Sequence, residues 1–162
     1  MKYWVMSDWH LGHTAKMVEY CGRPWDYNDR ILKSMEAISS EDCLIFLGDV
    51  CIGRDDYWNS TLPTHFKKVL VKGNHDRKSC SWYMNHGWDM VVDSFTLNMY
   101  GKKLIFSHVP LEEVPEGYLN IHGHCHNDDR YVLTPDKILV KCEHDYRPVL
   151  LNKLFDNYQN QT

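Results

Sequence analysis

The sequence predicts an α/β domain, and three observations point to it. Short apolar runs of strand length alternate with a segment of helical periodicity. Five of those runs stop in a polar cluster holding Asp, Asn or His. With 162 residues, 43% hydrophobic, the chain is long enough to bury a real core. Residues 1–155 read as one domain and 156–162 as a polar C-terminal tail, with no repeat or Pro/Gly-rich linker between them.

The elements follow in order. KYWVM at 2–6 is a strand that breaks off into SDWHLGH. A helix fits 28–39, where Ile31, Leu32, Met35 and Ile38 form one apolar stripe and Asn28 or Asp29 can cap the start. CLIFL at 43–47 is apolar throughout, as suits a strand covered on both faces, and it ends at Gly48-Asp49. HFKKVLVK at 65–72 ends at Gly73-Asn74-His75-Asp76. A helix is expected near 77–86, with Gly87 placed to stop it. FTLNM and KKLIFS flank Tyr100-Gly101 as a hairpin whose second arm ends at Ser107-His108. LNIH runs into Gly123-His124. KILVKCE and RPVLLNKL read as a final antiparallel hairpin.

The bulk numbers exclude several classes. A formal charge of −4 argues against coating nucleic acid by charge alone, although bound divalent cations would invert the local field. No stretch approaches about 18 apolar residues, so no membrane span is expected. The N-terminus turns polar too soon for a signal peptide, and six cysteines lie scattered without CxxC pairs. Reduced thiols and a cytoplasmic location are the expectation, with Cys43 a core residue.

In NIHGHCH, residues 120–126, three histidines alternate, which in an extended chain would turn them to one side. Ligands gathered beyond strand ends are the expected geometry of a site in an α/β sheet. The strand-end clusters supply two aspartates, one asparagine and four histidines, with no thiolate. That donor set suits Mn²⁺, Fe²⁺ or Zn²⁺ better than a structural zinc site. Seven ligands are too many for one tetrahedral ion and right for two ions sharing a carboxylate.

The blocks SDWH (7–10), GDV (48–50), GNHD (73–76), SH (107–108) and GHCH (123–126) together resemble the calcineurin-like metallophosphoesterases, in order and in spacing. The stretch DWHLGHTAKMVEYCGRPWDYNDRI and the tail ILVKCEHDYRPVLL are most similar to the small single-domain bacterial and phage phosphoesterases. The resemblance implies two mixed β-sheets packed face to face and flanked by helices. It implies that Asp8, His10, Asp49 and His126 hold a first metal, with Asp49 bridging, and that Asn74, His108 and His124 complete a second. The two divalent ions would be Mn²⁺, with Fe²⁺, Zn²⁺ or Ni²⁺ as alternatives. His75 would act over the substrate phosphate as acid or transition-state donor, with Asp76 orienting it, and a metal-activated hydroxide would attack phosphorus.

Other residues carry two readings each. His13 could touch substrate, and Arg23 in CGRPW could clamp a phosphate oxygen or be a surface arginine. Trp4, Trp9 and Trp25 could stack bases or simply pack. Cys125 should point away from the ligands, while His65, His86, His122 and His144 have no matching role. The short chain leaves no insertion for a capping domain, so an open site acting on phosphodiesters of nucleotides or nucleic-acid ends is expected. A phosphomonoesterase on small metabolites, or a silent scaffold of the same fold, are the alternatives.

Overall fold

The computed structural model describes residues 1–126 and 134–159. Among the described residues, nine strands form two mixed sheets. The first has the order β4-β3-β2-β1-β9, from β1 (Tyr3–Met6), β2 (Cys43–Phe46), β3 (Lys67–Val71), β4 (Met90–Val92) and β9 (Val149–Leu150). The second has the order β5-β6-β7-β8, from β5 (Ser94–Met99), β6 (Lys102–Ser107), β7 (Tyr118–His122) and β8 (Lys137–Leu139). Within the first sheet β1 to β4 run parallel and β9 antiparallel; within the second, β5 is antiparallel to β6 and the other pairs are parallel.

The period of two along each strand sorts the core into two layers. Val5, Ile45, Leu47 and Val71 turn one way, onto Leu104, Phe106, Leu119, Ile121 and Ile138 of the second sheet. Met6, Leu44, Phe46 and Leu70 turn the other way, onto Met17, Tyr27, Ile31 and Met35 of the helical layer. The apolar run CLIF is thus buried on both faces, as its composition requires. In β5, exposed Ser94, Thr96 and Asn98 alternate with half-buried Phe95, Leu97 and Met99, so the outer strand of the second sheet is covered on one face.

The helices are α1 (Thr14–Cys21), α2 (Tyr27–Ser34), α3 (Asp55–Ser60), α4 (Cys80–Asn85) and α5 (Leu151–Gln159). The expected helix over 28–39 is α2 continued by a tight 3₁₀ turn at Met35–Ala37. Its N-cap is Asp26 rather than Asn28 or Asp29, and no side chain caps it. Asn28 is engaged elsewhere, donating to Thr14 Oγ1 and accepting from the Gly12 N–H. The helix expected near 77–86 begins three residues later, because Ser79 Oγ accepts from Trp82 N–H and sets the cap there.

The hairpin across Tyr100-Gly101 forms, both turn residues having positive φ (53° and 71°) as a two-residue hairpin turn demands. The final hairpin does not. KIL pairs parallel with β7, whereas Val149–Leu150 pairs with β1 in the other sheet. The segment then becomes α5, since Leu151, Leu154 and Phe155 recur at i, i+3 and i+4 and pack on the core between the sheets. Residues 160–162 of the expected polar tail lie outside the described residues.

Candidate metal centre

All seven sequence-predicted ligands come together where the carboxyl ends of β1, β2, β3, β6 and β7 meet. The parallel ladder is carried just past the strand ends: Asp8 N–H donates to Gly48 O, His10 N–H to Asp49 O, and Gly123 N–H to His108 O, at 2.9, 2.9 and 3.0 Å. The chain then turns sharply. Eight non-glycine residues among those described have positive φ, and five are Asp8, His10, Asp49, His124 and His126. Such backbone costs on the order of 1–3 kcal/mol per residue and persists where surrounding structure over-determines it. His124 and His126 therefore project inward from a left-handed loop, not from an extended strand as their alternation suggested. His122 remains on β7, buried, with Nδ1 on the Gly123 carbonyl.

Each aspartate uses one oxygen to hold a neighbouring ligand loop and leaves the other facing inward. Asp8 Oδ2 accepts from His124 N–H at 2.9 Å, and its buried Oδ1 has no hydrogen-bond partner. Asp49 Oδ1 accepts from His75 N–H at 2.9 Å, while Oδ2 stands 3.5 Å from His10 Nε2 and 3.4 Å from His108 Nε2. Around Asp49, His108 Nε2 lies 3.0 Å from Asn74 Oδ1 and 3.1 Å from His124 Nδ1. On the other side, Asp8 Oδ1 is 3.9 Å from both His10 Nε2 and His126 Nε2. The donors form the groups Asp8/His10/His126 and Asp49/His108/His124, with Asn74 beside the second, and a further group, His10/Asp49/His75, spans the two at the mouth.

The donor chemistry fits divalent cations. Buried Asp8 Oδ1 and both ring nitrogens of His10 have no hydrogen-bond partner, which a fold tolerates poorly unless another charge completes them. His108 Nδ1 is directed at Leu47 O, 2.6 Å away, which turns its Nε2 toward the cluster. Burial raises the pKa of Asp8 and pulls that of His10 down to about 3. Burial also opposes charge on His108, but Asp49 and Asp8 outweigh it and hold that imidazole at about 9. Two glycines keep the carboxylates in place by lacking a side chain: a Cβ on Gly73 would stand 2.2 Å from Asp49 Oδ1, and one on Gly123 2.6 Å from Asp8 Oδ2.

His75 sits at the mouth, 37% exposed, its Nε2 4.0 Å from Asp49 Oδ2 and its ring edge-on to His10. Asp76 does not orient it. That carboxylate turns inward and accepts from the N–H groups of Asp49, Val50 and Gly73, at 2.8, 3.0 and 2.8 Å, so it braces the loops rather than His75. Arg23 is neither a phosphate clamp nor a surface residue: it is 1% exposed and its guanidinium is engaged by protein acceptors. His13 is the N-cap residue of α1 and partly exposed. Trp9 is core, stacked on Phe46 at 3.8 Å, while Trp25 is 70% exposed.

One residue near the cluster was missed. Glu143 Oε1 lies 3.0 Å from His126 Nδ1, and although burial raises its pKa, His126 and Arg23 bring it down to about 2. It too follows a strand-like run, KILVKC, which was the signal available in the sequence. A groove of about 460 Å³ lined by Tyr100, Lys102, Tyr118 and Phe155 contains none of these residues; it lies at the opposite ends of β6 and β7.

The sequence matches the calcineurin-like phosphoesterase family over residues 1–157, and the chain belongs to that family. It is a hydrolase of phosphate esters, of a family that uses divalent metals. No curated protein matches it. Among solved structures, a protein of unknown function from Aquifex aeolicus, AQ665, superposes with a TM-score of 0.74 at 23% identity, covering 96% of this chain and 98% of that one. A novel archaeal phosphodiesterase superposes with a TM-score of 0.52 at 18% identity, covering 93% of this chain and 100% of that one. Both likenesses concern the fold. Among the described residues no helix is long and apolar enough to cross a membrane.

Proposed function

We propose that the protein is a two-cation phosphodiesterase acting on nucleotides or nucleic-acid ends, with Mn²⁺ as its metal. The observation that carries this reading is Asp49 Oδ2, placed about equally far from His10 Nε2 and His108 Nε2 with a donor set on each side. Asp8, His10 and His126 would hold the first cation and Asn74, His108 and His124 the second, with Asp49 shared. Two such ions would supply a nucleophile from water at neutral pH and offset the charge on the phosphoryl oxygens.

The protein's own groups then have separate tasks. His75, half-exposed above the shared carboxylate, donates to the departing ester oxygen. Backbone contacts hold Asp8, His10, Asp49, His108 and His124 in place, so little has to rearrange there when substrate arrives. A mouth with His75, Asn74 and His124 at the surface leaves room for the second ester substituent that a diester carries on phosphorus.

Hydrolysis of bis-p-nitrophenyl phosphate beside p-nitrophenyl phosphate tests this, using protein treated with EDTA and resupplied with Mn²⁺, Zn²⁺ or Mg²⁺. Metal-restored cleavage of the diester is expected. Preference for the monoester would make the protein a phosphatase, and no turnover with any metal would make it a scaffold of this fold.

A further inference from the structure

We propose that Arg23 and Glu143 are the positioning residues of the first cation site, acting through His126; this rests on the two-cation reading above. Gly22, in the left-handed conformation (φ 64°), ends α1 and turns the chain so that Arg23 returns beneath the β1 loop. There the guanidinium donates from Nη1 to Trp9 O at 2.8 Å and from Nη2 to Asp8 O at 2.7 Å. From Nε it donates to Glu143 Oε1 at 2.9 Å, a residue 120 positions away. Glu143 Oε1 in turn accepts from His126 Nδ1–H at 3.0 Å. That bond sets the tautomer and turns Nε2 toward Asp8 Oδ1, where the first cation would lie.

One buried guanidinium thus ties together both sides of that site. It pins the backbone of Asp8 and Trp9, next to two ligands whose φ values are strained, and it fixes the carboxylate that aims the third ligand. An arginine suits this because its planar fork donates in several directions at once and stays charged when buried. The thiol of Cys21 lies with His126 and Glu143, and those three donors could be read as a separate soft-metal site. The electrostatics favour the positioning role: Arg23 already supplies the positive charge that Glu143 Oε1 pairs with, and an added cation would face the guanidinium.

The second donor set, Asp49/His108/His124 with Asn74, touches neither Arg23 nor Glu143 directly, and its links to the first set, the His124 N–H on Asp8 Oδ2 and the approach of His10 to Asp49 Oδ2, do not pass through Glu143. The test is therefore selective. Mn²⁺ titration of the full chain, followed by electron paramagnetic resonance, counts bound ions and separates a spin-coupled pair from a lone ion. In Glu143→Gln one of the two ions should bind about 10–100-fold more weakly, and the coupled signal should give way to a single-ion signal at sub-saturating Mn²⁺. Glu143→Asp keeps the charge beside Arg23 but falls a methylene short of His126, and should show the same selective loss if the glutamine variant does not fold. Two ions bound with wild-type affinity, or both weakened equally, would overturn the assignment. Failure of the wild-type chain to bind Mn²⁺ at all would instead overturn the two-cation reading on which it rests.

Discussion

Asp76 is the residue whose role the fold changes most, and Asp76→Asn separates the two accounts of it. Its carboxylate is 3% exposed, and burial raises its pKa. Yet every neighbour that touches it donates: the N–H groups of Asp49, Val50 and Gly73, and the Tyr83 hydroxyl at 3.4 Å. Asparagine can keep the two N–H groups on one oxygen, but its NH₂ then faces the Val50 N–H, donor against donor. One charge-assisted bond is lost and one buried donor is stranded, which together cost about 2–4 kcal/mol. For a domain of this size that lowers the midpoint of thermal unfolding by roughly 5–15 °C. The loops it braces carry Asp49 and Asn74, so Mn²⁺ affinity should fall as well. Thermal unfolding by circular dichroism, with and without Mn²⁺, reads both effects. An unchanged midpoint with a loss confined to kcat on poor leaving groups would refute this reasoning and restore Asp76 as the partner of His75.

The remaining expectations concern the same centre and its surroundings. Asp49→Asn or His108→Ala should abolish metal-restored turnover and reduce the Mn²⁺ count, whereas His75→Ala should keep both ions and lose rate chiefly on substrates with poor leaving groups; atomic absorption beside initial rates distinguishes them. Gly73→Ala should drive its Cβ into Asp49 Oδ1 and cost about 1–3 kcal/mol together with cation affinity, measured by unfolding and Mn²⁺ titration. His108 is held at about 9 and His126 at about 10, so both carry protons at neutral pH that a cation must displace. Mn²⁺ affinity should therefore rise with pH from 6 toward 9 and binding should release protons, visible by calorimetry in buffers of different ionisation enthalpy. Trp9→Ala should cost about 3–5 kcal/mol by emptying a core stack, and Trp25→Ala should leave stability within about 0.5 kcal/mol.

Much of this was legible in the chain. Apolar runs such as CLIF declare buried strands because only a strand covered on both faces tolerates them. That the candidate donors would cluster was legible because metal chemistry restricts the side chains, and because each follows a strand end. The errors have physical causes of their own. RPVLLNKL satisfies a strand pattern over a few residues, and only the longer stretch to Phe155 shows the helical spacing that packing selects. His124 and His126 looked like one face of a strand, but positive φ at both is a property of the loop, which two histidines do not announce.

By itself, then, the sequence determined the candidate donor types, their order and the strands that deliver them, because these depend on local pattern and on donor chemistry. Only the tertiary structure decided which oxygen of Asp8 and Asp49 faces inward, that Asp76 braces loops, and that Arg23 reaches Glu143 across 120 positions. Those outcomes depend on which distant groups compete for the same donors and acceptors. That competition is resolved only when both sheets have packed and every buried polar group has found its partner.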